Sequence, residues 1–290
     1  MRSRSLSFLA ALICLILFAC GGGTKAPPGE QYFNFVKSNL ASMEYENALK
    51  NLGQTIDAAG DQPLGRQSVL LRVALLTAMA DATRHMAETY DMGARQPAAA
   101  AQRPRFMKMR ADYYGTCRVR LLDAMQQVMK QRGKLGDKPM PLDVAFPDFT
   151  GTDHQAVTRI KNGLWAEDAD RYRGEMETTR NSLAEVLTSL VGGGDDMAKG
   201  QATFKKGAVQ IDPRVYFVEL SATFLRLSEI FDRKALNDPR YRKICYEVIR
   251  DNMDTALKML ETAPDKDLEA KAKKIKAECE KGLKALGPTT

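Results

Sequence analysis

The chain's whole supply of imidazole is His85 and His154, in separate segments. No His-Glu-x-x-His, Cys-x-x-Cys, phosphate loop or Gly-x-Ser-x-Gly accompanies them. His85 stands among Thr83, Arg84, Met86 and Glu88, and His154 beside Asp153 near a helix start. Both read as surface or locally bonded groups. Glu167-Asp168-Ala169-Asp170 carries carboxylates for a cation, but a calcium loop needs several oxygens converging from a strained turn. Here, as at Asp195-Asp196, the acids fit the first turn of a helix, where the helix dipole favours them. Phe106-Met107-Lys108-Met109 and the Met125/Met129 pair offer soft thioethers suited to copper. At helical spacing such methionines are core filler. The expectation is no metal, no cofactor and no catalytic constellation, hence not an enzyme.

Cys117, Cys245 and Cys279 form an odd set, and a Cys245–Cys279 bridge across the last helical pair is the obvious candidate. The turn centres near Pro264, which leaves the two about 6 Å out of register along the helix axes. Adding about 8–10 Å between axes places the Cα atoms near or past the limit of about 7 Å for a bridge. Each cysteine continues an apolar stripe: Cys117 between Tyr113 and Leu121, Cys245 with Tyr241, Val248 and Ile249, Cys279 with Leu268, Ala272, Ile275 and Leu283. Three free, buried thiols are expected.

Cys20 has different surroundings. Arg2 and Arg4 precede an apolar run from Leu6 to Phe18, too short to span a bilayer comfortably, which takes about 20 residues. Leu17-Phe18-Ala19-Cys20 resembles a bacterial lipobox, with Leu at −3, a small residue at −1 and Cys at +1. The resemblance covers about twenty residues. It implies cleavage before Cys20, diacylglycerol on its thiol and acylation of the new amine. Several acyl chains anchor firmly, since each buried CH₂ contributes about 0.8 kcal/mol. Gly21 to Gly23 and Pro27-Pro28 then read as a tether holding the body off the headgroups. Gly21 at +2, in place of the Asp that retains many such lipoproteins at the inner membrane, favours the outer membrane facing the periplasm.

Removing Arg2 and Arg4 with the leader lowers the formal charge from +7 to +5. Acids and bases are mixed throughout, and no basic patch is interleaved with aromatics, so nucleic acid is not an expected partner.

The segments that carry these residues are nearly all of helical period, with no convincing strand alternation. The spacing predicts helices over Gln31–Ala41, Tyr45–Ala58, Leu64–Asp91, Pro104–Gln131, Asp153–Gly163, Glu167–Val191, Val215–Phe231, Pro239–Leu260 and Asp267–Leu286. In Leu64–Asp91 apolar residues lie on more than one face, which makes that helix central. Residues 133–152 hold three prolines and three glycines and read as a loop. A second loose stretch runs from Gly192 to Asp212. The organisation expected is all-α: a leader (1–19), a tether (20–30), an N-terminal helical half (31–132), the loop (133–152) and a C-terminal half (153–290).

Tyr32, Phe35, Val36, Tyr45, Ala48 and Leu52 fall at the large, large, small, aromatic, alanine and large positions of a tetratricopeptide unit. About thirty residues resemble that repeat, with fainter echoes at Gly163, Trp165 and Tyr172 and at Ala256, Leu260, Ala263 and Pro264. The alternative is an irregular bundle with one lookalike hairpin. The resemblance implies antiparallel hairpins with a concave face that binds through aromatic side chains, and Trp165, Tyr172, Tyr216 and Tyr241 are the candidates. The function expected is a membrane-anchored envelope scaffold or adaptor that binds a protein partner, with self-association left open. The alternative is the tetratricopeptide-type accessory lipoprotein of a tripartite solute transporter, binding an apolar small ligand.

Overall fold

The computed structural model describes residues 26–133, 135–136, 138–232 and 234–287. The leader and Cys20 lie outside the described residues. The described chain is all-α, with ten α-helices and one two-stranded sheet. The helices are α1 (Glu30–Ala41), α2 (Tyr45–Ala59), α3 (Pro63–Ala94), α4 (Arg103–Gln131), α5 (Gln155–Lys161), α6 (Asp168–Leu190), α7 (Met197–Phe204), α8 (Pro213–Leu227), α9 (Pro239–Thr262) and α10 (Lys266–Leu286). No described helix is long and apolar enough to cross a membrane.

The centre is α3, as its apolar residues require. Leu70, Leu71, Leu75 and Leu76 are at most 2% exposed, and each contributes about 1.5–3 kcal/mol of transfer free energy. The alanine-rich junction is a 3₁₀ turn, Pro97–Gln102, that sends α4 back along α3. The approach to α5 is close at Gly93, where a Cβ would stand 2.1 Å from the Ile160 carbonyl oxygen. α3 packs against α2, α4, α5, α6 and α8. One hydrophobic cluster therefore runs from Phe33 to Cys279, and the two sequence halves share it.

Chain ends of the helices follow local chemistry. Proline occupies the first turn of α3, α4, α8 and α9, where its missing N–H costs nothing. Asp196, Asp212, Asp238 and Asp265 accept from backbone N–H groups at the starts of α7, α8, α9 and α10. Asp168 and Asp170 do lie in the first turn of α6. Cys117, Cys245 and Cys279 are free and fully buried.

Two expectations are corrected. The stretch 192–212 is not wholly loose: it contains α7 and strand β2 (Val209–Ile211). The loop 133–152 contributes strand β1 (Met140–Leu142), antiparallel to β2 with Met140 opposite Ile211 and Leu142 opposite Val209. Met140, Leu142 and Val144 are buried, and Phe146 packs on Phe204 of α7 at 5.4 Å. The loop is thus fastened to the C-terminal half, and its last turn, Phe149–Asp153, overhangs α3 and α6.

Candidate functional site

Three helices turn polar stripes toward one another beneath that turn. α3 supplies Asp81, Arg84 and His85; α6 supplies Thr178, Asn181, Ser182, Glu185 and Ser189; α8 supplies Glu219, Ala222, Thr223 and Arg226. The three- and four-residue spacings place each set on one helix face. Between them lie two depressions of about 340 and 540 Å³, which share Phe149, Glu185 and Arg226 and so form one groove. Lys271 of α10 closes its end, its ammonium 2.7 Å from both carboxylate oxygens of Glu219. On the other side Arg84 is also a wall of a third depression of about 460 Å³, bounded by Glu88, Asp91, Arg95 and Arg110.

Asp81 is the anchor of the site. Its side chain is only 7% exposed, in the middle of the central, largely buried helix. A carboxylate placed there needs compensation. Arg84 supplies it with Nη2 3.0 Å from Oδ1 and Arg226 with Nη2 3.4 Å away, while Ser182 Oγ donates to Oδ2 at 3.2 Å. Arg84 is shared with Glu88, at 2.6 Å. Burial opposes the Arg84 charge, but the Asp81 and Glu88 carboxylates outweigh it and hold the guanidinium above its ordinary pKa.

A second pair sits on the rim. His85 Nε2 is 3.3 Å from Asp153 Oδ1, and Lys161 pairs with the other oxygen of Asp153. Burial works to raise the Asp153 carboxyl, yet Lys161 and His85 together hold it below the usual range. Glu185 differs. It is exposed at its tip but set in a concavity, and among the described residues its carboxylate has no hydrogen bond or ion pair. Burial and the Asp81 charge raise its pKa, against Arg226 and His85. Phe149, 39% exposed, stands between the two lobes.

The four aromatic candidates do not converge, and none lines this groove. Tyr216 is corrected: it is 1% exposed, packed edge-on against Phe217 in the core. Trp165 is half-buried beside Tyr90 and Phe106, with the Arg105 guanidinium 3.5 Å above its ring. Tyr241 is half-buried and stacked on Phe231. Tyr172 is 61% exposed, at a small cavity of about 100 Å³ beside Tyr45 and Glu175. His154 is locally bonded, its Nδ1 accepting from the Ala156 N–H at the start of α5. Asp81, Glu185, Arg226 and Phe149 were not singled out by sequence reasoning. The available signal was Asp81, the one acid between Leu64 and Ala87.

Ser182 spends its proton on Asp81, and His85 faces a carboxylate rather than a hydroxyl or thiol. What the arrangement offers is an open, mixed-charge trough with fixed side chains. Comparison with family models, with curated proteins and with solved structures finds no match.

Proposed function

We propose that this protein is an exported, lipid-anchored adaptor, held through Cys20 at the outer membrane facing the periplasm, that grips an extended segment of a protein partner. The observation that supports this reading is the continuous polar groove. Two depressions joined through the shared walls Phe149, Glu185 and Arg226 suit a chain better than a compact solute. The mixture of acids and bases favours a partner of patterned charge. The fixed ion pairs support binding rather than catalysis, and the α1–α2 hairpin supports the tetratricopeptide-like reading of the scaffold.

A photoreactive phenylalanine analogue at Phe149 tests the proposal in intact cells. It should give a defined adduct, lost in Arg226→Ala, while the same analogue at Val119, 57% exposed on α4, gives none. Equal adducts from both positions, or adducts indifferent to Arg226, would overturn it.

A different cavity supports the second reading. About 500 Å³ beside Pro63, Leu135, Pro139, Met140 and Pro141 is mainly apolar, with Arg66 and Lys138 also on its wall, and it suits the apolar ligand of a transport accessory protein. Saturable uptake of a fluorescent alkyl probe is the expected result under that reading, and its absence would remove it.

A further inference from the structure

Charges in the groove can be matched one by one, and the matching leaves a remainder. Asp81 is met by Arg84 and Arg226, Asp153 by His85 and Lys161, and Glu219 by Lys271. Glu185 belongs to both lobes of the groove and, like the exposed Asp195 beside it, has no side-chain hydrogen bond or ion pair among the described residues. Asn181, one turn earlier on the same wall of α6, has its Oδ1 shielded from water with no donor. The unmet demand on this wall is for N–H donors and positive charge. Phe149, at the boundary of the lobes, offers an aromatic ring to the apolar stem of an incoming side chain or to a cation itself.

We infer that the wall carrying Asn181 and Glu185, capped by Phe149, is a subsite for a cationic side chain, guanidinium or primary ammonium, on the bound segment. This rests on the groove reading above and adds the identity of the anchor residue. The neighbours explain why the subsite stays open in the free protein. Arg226 is committed to Asp81, and His85 to Asp153. Asp195 lies on the same groove and adds to the negative potential. A cation entering there gains a carboxylate that no internal group has claimed. Since Glu185 is exposed, the discrimination expected is modest, about three- to tenfold.

The test uses the full-length protein in detergent and three capped tripeptides: acetyl-Gly-Arg-Gly-amide, its citrulline analogue and its glutamate analogue. Citrulline keeps the shape of arginine without its charge. Calorimetric titration should rank arginine above citrulline by about three- to tenfold and citrulline above glutamate. Glu185→Gln, at an exposed position whose fold is checked by circular dichroism, should erase the first difference. Agmatine is the further arm: binding as tight as that of the arginine tripeptide would show that a free amine, not a peptide side chain, is the occupant. Equal affinity for arginine and citrulline, a preference that survives Glu185→Gln, or no binding of any cationic probe would overturn the subsite. Those results would leave a Phe149 photo-adduct dependent on Arg226 untouched. Loss of that adduct with tripeptide selectivity intact would instead refute the adaptor and keep the subsite.

Discussion

Asp81→Ala is the perturbation that most directly tests whether the groove is a built structure. Asp81 ties α3 to α6 through Ser182 and to α8 through Arg226. Truncation removes a charge-assisted contact from Arg84, worth about 1.5–3 kcal/mol, and strands the buried Ser182 hydroxyl at about 1 kcal/mol. The full penalty of about 3–5 kcal/mol for orphaning a buried partner does not apply. Arg84 retains Glu88 at 2.6 Å, and Arg226 is 48% exposed, so water takes over there. The net cost is about 2.5–4 kcal/mol, which lowers the melting temperature by about 5–16 °C in a chain of this size. Arg226→Ala should cost under about 1 kcal/mol, since an exposed partner contributes little. Asp81→Asn, which keeps an acceptor for Ser182, falls between them. Urea unfolding followed by circular dichroism gives the three values, with unchanged slope as the condition for comparison. The reasoning fails if Asp81→Ala lies within about 0.5 kcal/mol of the parent, or if Arg226→Ala costs as much.

Cys20→Ser should release the protein from membranes or leave an uncleaved precursor, read by fractionation and by acyl mass on the native peptide; unchanged fractionation without acyl mass refutes the lipobox reading. Burial pushes the thiols of Cys117, Cys245 and Cys279 up to about 12, so near pH 8 only about one in ten thousand of each is thiolate. Alkylation of the folded protein should therefore be negligible, and denaturing, non-reducing alkylation of the acylated mature chain should add three labels; uptake of one would prove a disulfide. Glu175 supplies a pH test. Burial lifts its carboxyl above the ordinary glutamate value, although the Tyr113 hydroxyl donates to it at 2.9 Å and Arg171 is near. The folded state therefore keeps a proton that the unfolded state loses near pH ~4.3, and stability falls as pH rises from there through the folded value. Glu175→Gln keeps an acceptor for Tyr113 and cannot ionise, so its melting temperature should gain on the parent between about pH 4 and pH 7; a constant difference across that range refutes the assignment.

The helical frame was legible because its signals are local. Pro213 and Pro239 open α8 and α9 where first-turn prolines belong, and the many-sided apolar pattern of α3 marks it as central. What escaped was short or composite. Strands of three residues cannot display alternation, and α7, eight residues long with Gly200 pressed against Thr188, carries little periodic signal. The aromatic candidates lie away from the groove, and Tyr216 for a physical reason: a large ring fills a core well. The groove itself is assembled from short stripes on α3, α6 and α8 that are far apart in the sequence. Only folding sets them opposite one another.

Asp81 connects the frame to the function proposed here. An acid in the midst of an apolar helix is costly unless cations reach it, and the two that do come from a turn further along α3 and from α8. Arg226 lies half in water, so the compensation keeps that junction polar and open where an apolar residue would allow the helices to close over it. The same contacts fix Arg84, Arg226 and Ser182 before any partner arrives, which reduces the ordering cost of binding. Glu185 takes no part in that network. Burial and the charges of Asp81 and Asp195 disfavour its ionised form, against the attraction of Arg226 and His85, so glutamine relieves the first and forfeits the second while removing the carboxylate. A structural residue in a tightening network would lose stability on that change. A residue kept for a ligand would hold or gain stability and lose recognition, and that is the outcome the proposed subsite expects of Glu185→Gln.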